Sequence, residues 1–373
     1  MFITKTRFLN LFDNNSNFTY DDFLNNAVVK LPRSTVPIKE YMKAKKIKKD
    51  TYKRLYHQFV NKDLYLSNFF DKSLKYPFDI SITDQPMPKN ALNNNSKSNY
   101  KNFIRNLHYR EILKNTTSGL GRPSFLNVIL DFYNKLIIDY NLIIPSSLFY
   151  IEQNKISGVF SSLFFRASIL NPYLIYSLNM NVLKGTKIFT PTLGWSSYCY
   201  GFLECPIVQE YVGTDIITSV CYKTASIADK YYPKKKVNIL CKQSELLLND
   251  NRFLKKYAEH FDTVFFSPPY YKLEIYSGKN QSTNLYKSYE EWLDKYWKNT
   301  ILLCYFLLKK GSKLCYILSG YGKDLEFDLE KDMNNITAEY FYFKEKIRMY
   351  NKNVFVTKDK HRETSEFIYI FQK

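Results

Sequence analysis

Glycine and proline are scarce in this chain of 373 residues, with 11 and 13 residues respectively. Numbers this low exclude a collagen-like chain or one dominated by linkers. Long apolar runs are also missing. The longest covers residues 301–308 and is far shorter than the roughly 20 residues of a membrane helix. The first residues lack the apolar segment of a secretory signal. We therefore expect a soluble protein of the cytoplasm that does not bind membranes.

Cysteine and histidine are sparse as well, with six and four residues. No two cysteines form a C-x-x-C pair, so the sequence predicts no metal site. Scattered cysteines in a chain of this length indicate reduced thiols in an intracellular protein.

Positive charge is abundant, because 54 Lys and Arg residues face 35 Asp and Glu residues, a net charge of +19. A surplus of this size favours a polyanionic partner, and nucleic acid is the first candidate. The alternative is a lysine bias inherited from an AT-rich genome. Residues 1–150 hold 23 basic and 12 acidic residues, or +11. We expect this part to be a basic, mainly helical region that recognises nucleic acid through phosphate contacts, while ordinary surface lysine stays the alternative.

Strands and helices alternate from residue 185 onward, after a polar stretch at residues 93–99 that is typical of a loop or linker. Ser288 and Glu291 predict a capping box for the longest of these helices, and Gly311 predicts its end. This alternation predicts a Rossmann-like, doubly wound α/β sheet in a domain of residues 151–373, with ligands at the carboxyl edge of the strands. The predicted strands are 187–189, 208–213, 237–241, 263–266, 313–318, 338–347 and 366–372, and the predicted helices are 197–203, 219–230, 251–260 and 289–310.

The turn after the first of these strands carries Gly194, at which a backbone can approach a ligand closely. Asp215 follows 21 residues later, at the end of the second strand. A carboxylate about 20 residues after a glycine turn is where nucleoside-binding α/β folds hold the ribose hydroxyls. The spacing therefore predicts a nucleoside site.

The tetrapeptide Ser267-Pro268-Pro269-Tyr270 comes directly after the fourth strand. Two consecutive prolines have no N–H donor and a fixed φ, so they end the strand in a stiff turn whose carbonyls remain acceptors. The Ser267 hydroxyl adds an acceptor, and the Tyr270 ring offers a face on which a planar base can stack. This combination is suited to an exocyclic amino group.

The tetrapeptide resembles the [D/N/S]-P-P-[Y/F/W] motif of the S-adenosylmethionine-dependent amino-methyltransferases that act on nucleic-acid bases. The upstream glycine turn is similar to the cofactor motif of that family, and the order of the two motifs matches its cofactor-motif-first members. The resemblance covers roughly residues 160–373. Thr190 stands where the family motif has an acidic residue, and Ser196 stands where it has its second glycine.

The resemblance implies S-adenosylmethionine as cofactor and direct methyl transfer to a base. Asn171 and Pro172 would cover its methionine part, and Asp215 would hold the ribose. Gln243, Ser244 or Glu245 would bond to the adenine. The remaining implied residues are Thr190, Pro191, Gly194 and Trp195 in the cofactor turn, and Ser267, Pro268, Pro269 and Tyr270 in catalysis.

We therefore expect a DNA methyltransferase that forms N6-methyladenine or N4-methylcytosine. Two alternatives remain open: an RNA amino-methyltransferase, and a catalytically silent nucleic-acid-binding subunit with the same fold. The substituted cofactor turn favours the silent subunit, and the intact tetrapeptide opposes it. The composition fits a phage or a large DNA virus of the cytoplasm, with a viral factory or the host cytoplasm as the site of action.

Overall fold

A computed structural model describes residues 2–12, 18–77, 79–276, 278, 280–320, 327–351 and 362–373. The chain forms two compact units that interleave along the sequence. Residues 76–104 precede the predicted boundary at residue 150 but are part of the second unit. The recognition role of residues 1–150 stays a prediction. Unit 1 comprises Met1–Lys75, Arg105–Ser168 and Glu274–Tyr276, and unit 2 comprises Tyr76–Ile104, Ile169–Leu273 and Ser277–Lys373.

The described part of residues 1–150 is mainly helical, as predicted, and helices continue to residue 163. In unit 1 the strand β1 pairs with β2 antiparallel and with β4 parallel, and aromatic side chains such as Phe8, Phe59 and Phe132 fill the core. The helices are α1 (Lys5–Leu9), α2 (Tyr20–Asn26), α3 (Ile38–Lys45), α4 (Lys49–Val60), α5 (Lys62–Ser73), α6 (Asn99–Leu107), α7 (Tyr109–Leu113), α8 (Phe125–Lys135), α9 (Pro145–Glu152) and α10 (Ile156–Leu163), and the strands are β1 (Val28–Lys30), β2 (Thr35–Pro37), β3 (Thr116–Ser118) and β4 (Ile137–Asp139).

The rest of the chain alternates strands with helices. The strands are β5 (Lys187–Thr190), β6 (Glu210–Asp215), β7 (Lys236–Cys241), β8 (Phe261–Phe266), β9 (Glu274–Tyr276), β10 (Leu308–Ser319), β11 (Tyr342–Asn351) and β12 (Arg362–Gln372). The helices are α11 (Pro172–Leu178), α12 (Ser197–Leu203), α13 (Thr218–Tyr231), α14 (Asn251–Tyr257), α15 (Ser282–Leu285), α16 (Tyr289–Trp292), α17 (Asn299–Leu307) and α18 (Leu329–Ala338), with π-helical segments at Asn179–Leu183 and Leu293–Lys298.

Unit 2 contains a seven-stranded sheet in the order β7-β6-β5-β8-β10-β12-β11. Strands β5, β6, β7, β8 and β10 are parallel, whereas β12 is antiparallel to both of its neighbours. The predicted Rossmann-like, doubly wound sheet is therefore confirmed. Along the sequence, the first strand of this sheet is β5, near its middle. Strands β6 and β7 are then added on one side of β5, and β8 is added on its other side. The strand order thus reverses between β5 and β8, which is where such sheets bind ligands.

The longest predicted helix, 289–310, is interrupted and ends early. It begins at α16, passes through a π-helical segment, and ends with α17 at Leu307. Ser288 caps its start by accepting a hydrogen bond from the Glu291 N–H at 3.1 Å. The Glu291 carboxylate accepts from the Lys287 N–H at 2.8 Å, so the structure shows one half of the predicted capping box. Gly311 does not end the helix, because it lies inside β10 with a φ of 79°, where the pairing with β8 shifts register. The glycine thus serves a β-bulge, since a positive φ suits a bulge as well as a helix end.

The asparagine-rich stretch at residues 93–99 is attached to the sheet of unit 2 and is not a free linker. Asn93 is buried, and the Asn94 N–H donates to the Tyr350 carbonyl on β11 at 3.1 Å. Of the predicted loop or linker, the structure shows the loop, because the backbone turns here and bonds to a strand edge that the composition does not reveal.

Among the residues that the structure describes, no helix is both long and apolar enough to cross a membrane. Within the same ranges, no three or more His, Cys, Asp or Glu side chains form a group that could hold a metal ion.

Candidate active site at the carboxyl edge of the sheet

The two motifs found in the sequence meet at the carboxyl edge of the sheet of unit 2. The glycine turn follows β5, the tetrapeptide follows β8, and these strands are hydrogen-bonded neighbours. Asp215 ends β6, on the other side of β5. The sheet therefore places all three features at the point where the strand order reverses.

The glycine turn has an unusual backbone. Gly194, Trp195 and Ser196 have φ values of 51°, 59° and 70°, a region that residues other than glycine seldom adopt. A Cβ at Gly194 would overlap with the ring of Tyr198. The structure thus explains Gly194 by the packing of Tyr198 above it, whereas the sequence predicted a close approach to a ligand at this position.

Tyr198 connects the glycine turn to the tetrapeptide. Its hydroxyl accepts a hydrogen bond from the Ser267 backbone N–H at 3.1 Å. Its ring packs edge-to-face on Phe265 of β8, with the centroids 5.1 Å apart, and its side chain is buried. One side chain on the first turn of α12 therefore fixes the position of both motifs.

Thr190 and Pro191 hold the start of the glycine turn against β6. The Thr190 hydroxyl shares a hydrogen bond of 2.6 Å with the Tyr211 hydroxyl, and both side chains are buried. The Thr214 hydroxyl donates to the Pro191 carbonyl at 2.9 Å. In this structure Thr190 thus fixes the end of its own strand.

Asp215 ties the glycine turn to the end of β6. One carboxylate oxygen accepts from the Leu193 N–H at 3.3 Å, and the other accepts from the Ile217 N–H at 3.0 Å. Burial raises the pKa of Asp215 above its ordinary value, and these two hydrogen bonds oppose the shift. Asp215 lies at the position that the sequence predicted, with two backbone partners that the spacing did not show.

The tetrapeptide is held at both ends. The Ser267 hydroxyl lies 3.5 Å from the Ile317 carbonyl of β10, while Pro268 is buried and Pro269 is half-buried. Tyr270 is 9 % exposed, and burial together with the carboxylate of Glu366 raises its pKa. The Tyr270 side chain is therefore buried near the Glu366 carboxylate. Its stacking against a base stays a prediction.

The residues after β7 divide into a buried pair and a residue nearer the surface. Ser244 and Glu245 are buried, and burial raises the pKa of Glu245. The Glu245 carboxylate accepts a hydrogen bond from the Tyr286 hydroxyl at 3.2 Å. Gln243 donates instead to the Asn280 carbonyl at 3.3 Å. The contact predicted for Gln243 and Ser244 with adenine stays a prediction.

Asn171 and Pro172 form the start of α11. The Asn171 amide oxygen caps the helix by accepting from the Tyr173 N–H at 3.1 Å, and its amide nitrogen donates to the Ser96 carbonyl at 2.5 Å. Its backbone N–H donates to Asn94 Oδ1 at 2.8 Å. Both side-chain polar atoms of Asn171 thus have protein partners, and its predicted contact with a cofactor remains untested.

Tyr296 is a site residue that the sequence did not reveal. It lies in the π-helical segment Leu293–Lys298, and π-helical turns often occur at functional sites. The side chain is 3 % exposed, and in the described part of the chain its hydroxyl has no hydrogen-bond partner. Burial and the nearby groups of Glu245 and Cys304 raise its pKa. The π-helical segment also contacts residues Glu245–Asn249, which follow β7.

Two hydroxyls in or beside the glycine turn are also buried without a hydrogen-bond partner. Thr192 Oγ1 and Ser197 Oγ are buried, and neither has a partner within the described ranges. A buried polar group left without a partner costs about 1–3 kcal/mol. A single tyrosine in an aromatic-rich helix carries no sequence signal that could have identified Tyr296.

Comparison with known proteins returned no matching family model and no matching curated protein. Among solved structures, the chain is similar to TrmN from Thermus thermophilus, with 12 % identity over 55 % of this chain and a TM-score of 0.36. It spans 49 % of the length of that protein.

Two other solved structures are similar at the same level. One is the putative RNA methyltransferase PH1948 from Pyrococcus horikoshii, with 13 % identity over 54 % of this chain and 80 % of the other, and a TM-score of 0.33. The other is the N-methyltransferase NodS from Bradyrhizobium japonicum in complex with S-adenosyl-L-homocysteine, with 10 % identity over 53 % of this chain and 82 % of the other, and a TM-score of 0.34. At this similarity the function has to be argued from the site itself.

Proposed function

We propose that the protein is an S-adenosylmethionine-dependent methyltransferase that acts on the exocyclic amino group of a base in DNA, at adenine N6 or cytosine N4. The observation that carries the proposal is the hydrogen bond between Tyr198 and Ser267. It couples the turn suited to the methyl donor with the tetrapeptide suited to the acceptor amine. The Tyr270 environment and the position of Asp215 are consistent with these roles.

The residues at the carboxyl edge fit the chemistry of this cofactor. S-adenosylmethionine offers ribose hydroxyls, an adenine ring and an amino acid group, and when bound it supplies an electrophilic methyl group. Asp215 and the buried Ser244 and Glu245 would hold the nucleoside part. The hydroxyls of Thr192, Ser197 and Tyr296, which have no partner among the described residues, would provide further donors for its polar groups.

The tetrapeptide would orient the amine of the base. The Ser267 hydroxyl and the Pro268 carbonyl accept the two hydrogens of the amino group, which directs the nitrogen lone pair. Much of the rate then comes from positioning and from preorganised dipoles. No strong base is needed, because the nitrogen releases its proton only after it has gained the methyl group. The target base must leave a duplex or arrive single-stranded, since its amine is otherwise paired.

The test is mass spectrometry of nucleosides after incubation of the full chain with S-adenosylmethionine and mixed DNA or RNA. We expect N6-methyladenine or N4-methylcytosine from DNA. The variants Pro268→Ala and Tyr270→Ala should abolish transfer and leave cofactor binding intact by calorimetry. Tyr342→Ala, at a side chain 77 % exposed, is the matched control and should transfer normally. Near-normal activity of the two tetrapeptide variants would place the site elsewhere.

The same experiment separates the two alternatives. Methylated nucleosides from RNA alone identify an RNA amino-methyltransferase with the same site. Absence of cofactor binding by calorimetry identifies a silent nucleic-acid-binding subunit, the reading favoured by Thr190 and Ser196 in the cofactor turn.

A further inference from the structure

A strongly basic surface covers α3, α4 and the turn between them in unit 1. Residues 39–54 hold eight Lys and Arg and only two acidic residues. Six of the lysines, named here the α3–α4 basic surface, have exposed side chains. They are Lys43, Lys45, Lys46, Lys48, Lys49 and Lys53.

The charges of this surface are not neutralised within the described part of the protein. None of the six lysines has an ion pair there, whereas several surface lysines elsewhere do. Lys5 pairs with Asp71 at 2.7 Å, and Lys135 pairs with Asp131 at 2.9 Å. What distinguishes this surface is its charge density, because eight basic residues stand beside two acidic ones within residues 39–54.

The fold holds the six ammonium groups on a rigid base. The opposite face of the two helices is buried through Tyr41 on α3 and Tyr52 and Leu55 on α4. Lys46 ends α3 with a φ of 51°, and the Ile47 N–H donates back to the Met42 carbonyl at 3.2 Å. The turn between the helices is therefore a defined connection that presents its lysines in fixed places.

The spacing of the lysines on α4 matches neighbouring phosphates of a nucleic-acid strand. Lys49 and Lys53 lie four residues apart on this helix, which corresponds to about 6 Å along its axis. One strand of a duplex places a phosphate about every 3.4 Å along its axis, so these two lysines span about two phosphates.

We propose that the α3–α4 basic surface binds the phosphate backbone of nucleic acid, independently of sequence. The inference deepens the proposed function and rests on it for the choice of nucleic acid over other polyanions. Lysine is suited to this task, because each contact with a phosphate releases a condensed counterion and needs no fixed geometry.

The test is the salt dependence of binding by the full chain, measured by fluorescence anisotropy with a labelled 30-base-pair DNA duplex and no cofactor. The variant changes Lys45, Lys49 and Lys53 to Gln. Each lost phosphate contact reduces the magnitude of the negative slope of log K against log salt by about 0.9. The slope of the triple variant should therefore be shallower by about 2 to 3. The weakening should be the same for unrelated sequences.

Two triple variants are the controls. Replacement of Lys45, Lys49 and Lys53 by Arg keeps the charge and should keep the slope. Replacement of Lys255, Lys309 and Lys310 of unit 2 by Gln removes the same charge from other exposed positions and should change the slope much less. The thermal midpoint should be the same in all variants, because every changed side chain is exposed.

The outcomes separate this inference from the proposed function. An unchanged slope in the Lys→Gln variant of the α3–α4 basic surface overturns the inference even if methyl transfer is found. A shallower slope without any methylated nucleoside supports the inference while the proposed function fails. Single-stranded DNA and duplex RNA of equal length show which polymer is bound. If the Lys→Gln variant loses binding to phosphatidylserine vesicles while its DNA binding stays intact, the surface binds membranes and the inference is overturned.

Discussion

The Tyr198→Phe variant tests whether one hydroxyl couples the two halves of the candidate site. The change removes the acceptor of the hydrogen bond from the Ser267 N–H and keeps the ring that packs on Phe265 and above Gly194. The fold should therefore persist, while the backbone of the tetrapeptide loses an anchor.

The size of the effect follows from the lost hydrogen bond. An N–H left without its partner costs about 1–3 kcal/mol, and each 1.36 kcal/mol in a barrier is about tenfold in rate. If this cost falls on the placement of Ser267 and Pro268, kcat should drop by about 5- to 150-fold. The Kd of S-adenosylmethionine should stay within about twofold, because Asp215 and the glycine turn keep their own hydrogen bonds.

The assay combines single-turnover formation of methylated nucleoside with calorimetric titration of the cofactor. Tyr257→Phe is the matched control. Tyr257 is a buried tyrosine of the same unit, and its hydroxyl accepts from Asn238 Nδ2 at 3.2 Å. The Tyr257→Phe variant should lose about as much stability as Tyr198→Phe, while its kcat stays unchanged. Transfer at the unmodified rate by Tyr198→Phe would refute the coupling.

Two further predictions concern the buried groups around the cofactor position. Tyr296→Phe should raise the Kd of S-adenosylmethionine by about 2- to 12-fold, the worth of one hydrogen bond. It should cause no loss of stability, because no partner of its hydroxyl is lost in the described part of the chain. Tyr52→Phe, which removes another buried and unpartnered hydroxyl in unit 1, should leave that Kd unchanged, and equal effects of the two variants would argue against the site. Glu245→Gln should raise the free energy of unfolding at pH 7, measured in urea. Burial raises the pKa of Glu245 in the folded state, so the ionised carboxylate destabilises the folded protein. This loss of stability develops as the pH rises from the ordinary carboxyl pKa through the raised folded pKa. The gain should vanish below the ordinary carboxyl pKa, where both states are protonated, and a gain that grows with falling pH would contradict this sign.

The alternation of strands and helices was predictable from the sequence, because it depends on the pattern of neighbouring residues. Helix α12 was predicted at 197–203 and is observed at Ser197–Leu203. The second strand was predicted two residues early, at 208–213, and is observed at Glu210–Asp215. Asp215 was still placed at the end of this strand, because its spacing of 21 residues from Gly194 matches the ribose-binding carboxylate of nucleoside-binding folds.

Boundaries that depend on a partner strand were not predictable. Residues 308–310 were predicted as the last turn of the helix. They start β10 instead, because Leu308 pairs with Phe261 of β8 and the neighbouring residues bond to the last strand. The Gly311 N–H donates to the Lys373 carbonyl at 2.9 Å. Such a bond joins residues far apart in sequence, and no local pattern records it.

The sequence by itself determined the doubly wound order of elements and the tetrapeptide at the end of β8, because turn residues and periodicity act over a few positions. Only the tertiary structure decided what surrounds that tetrapeptide. Tyr198 and Ser267 are 69 positions apart, and Tyr296 reaches the same edge from a helix that follows β8. Packing brings these side chains together, and it depends on the whole sheet rather than on any one segment.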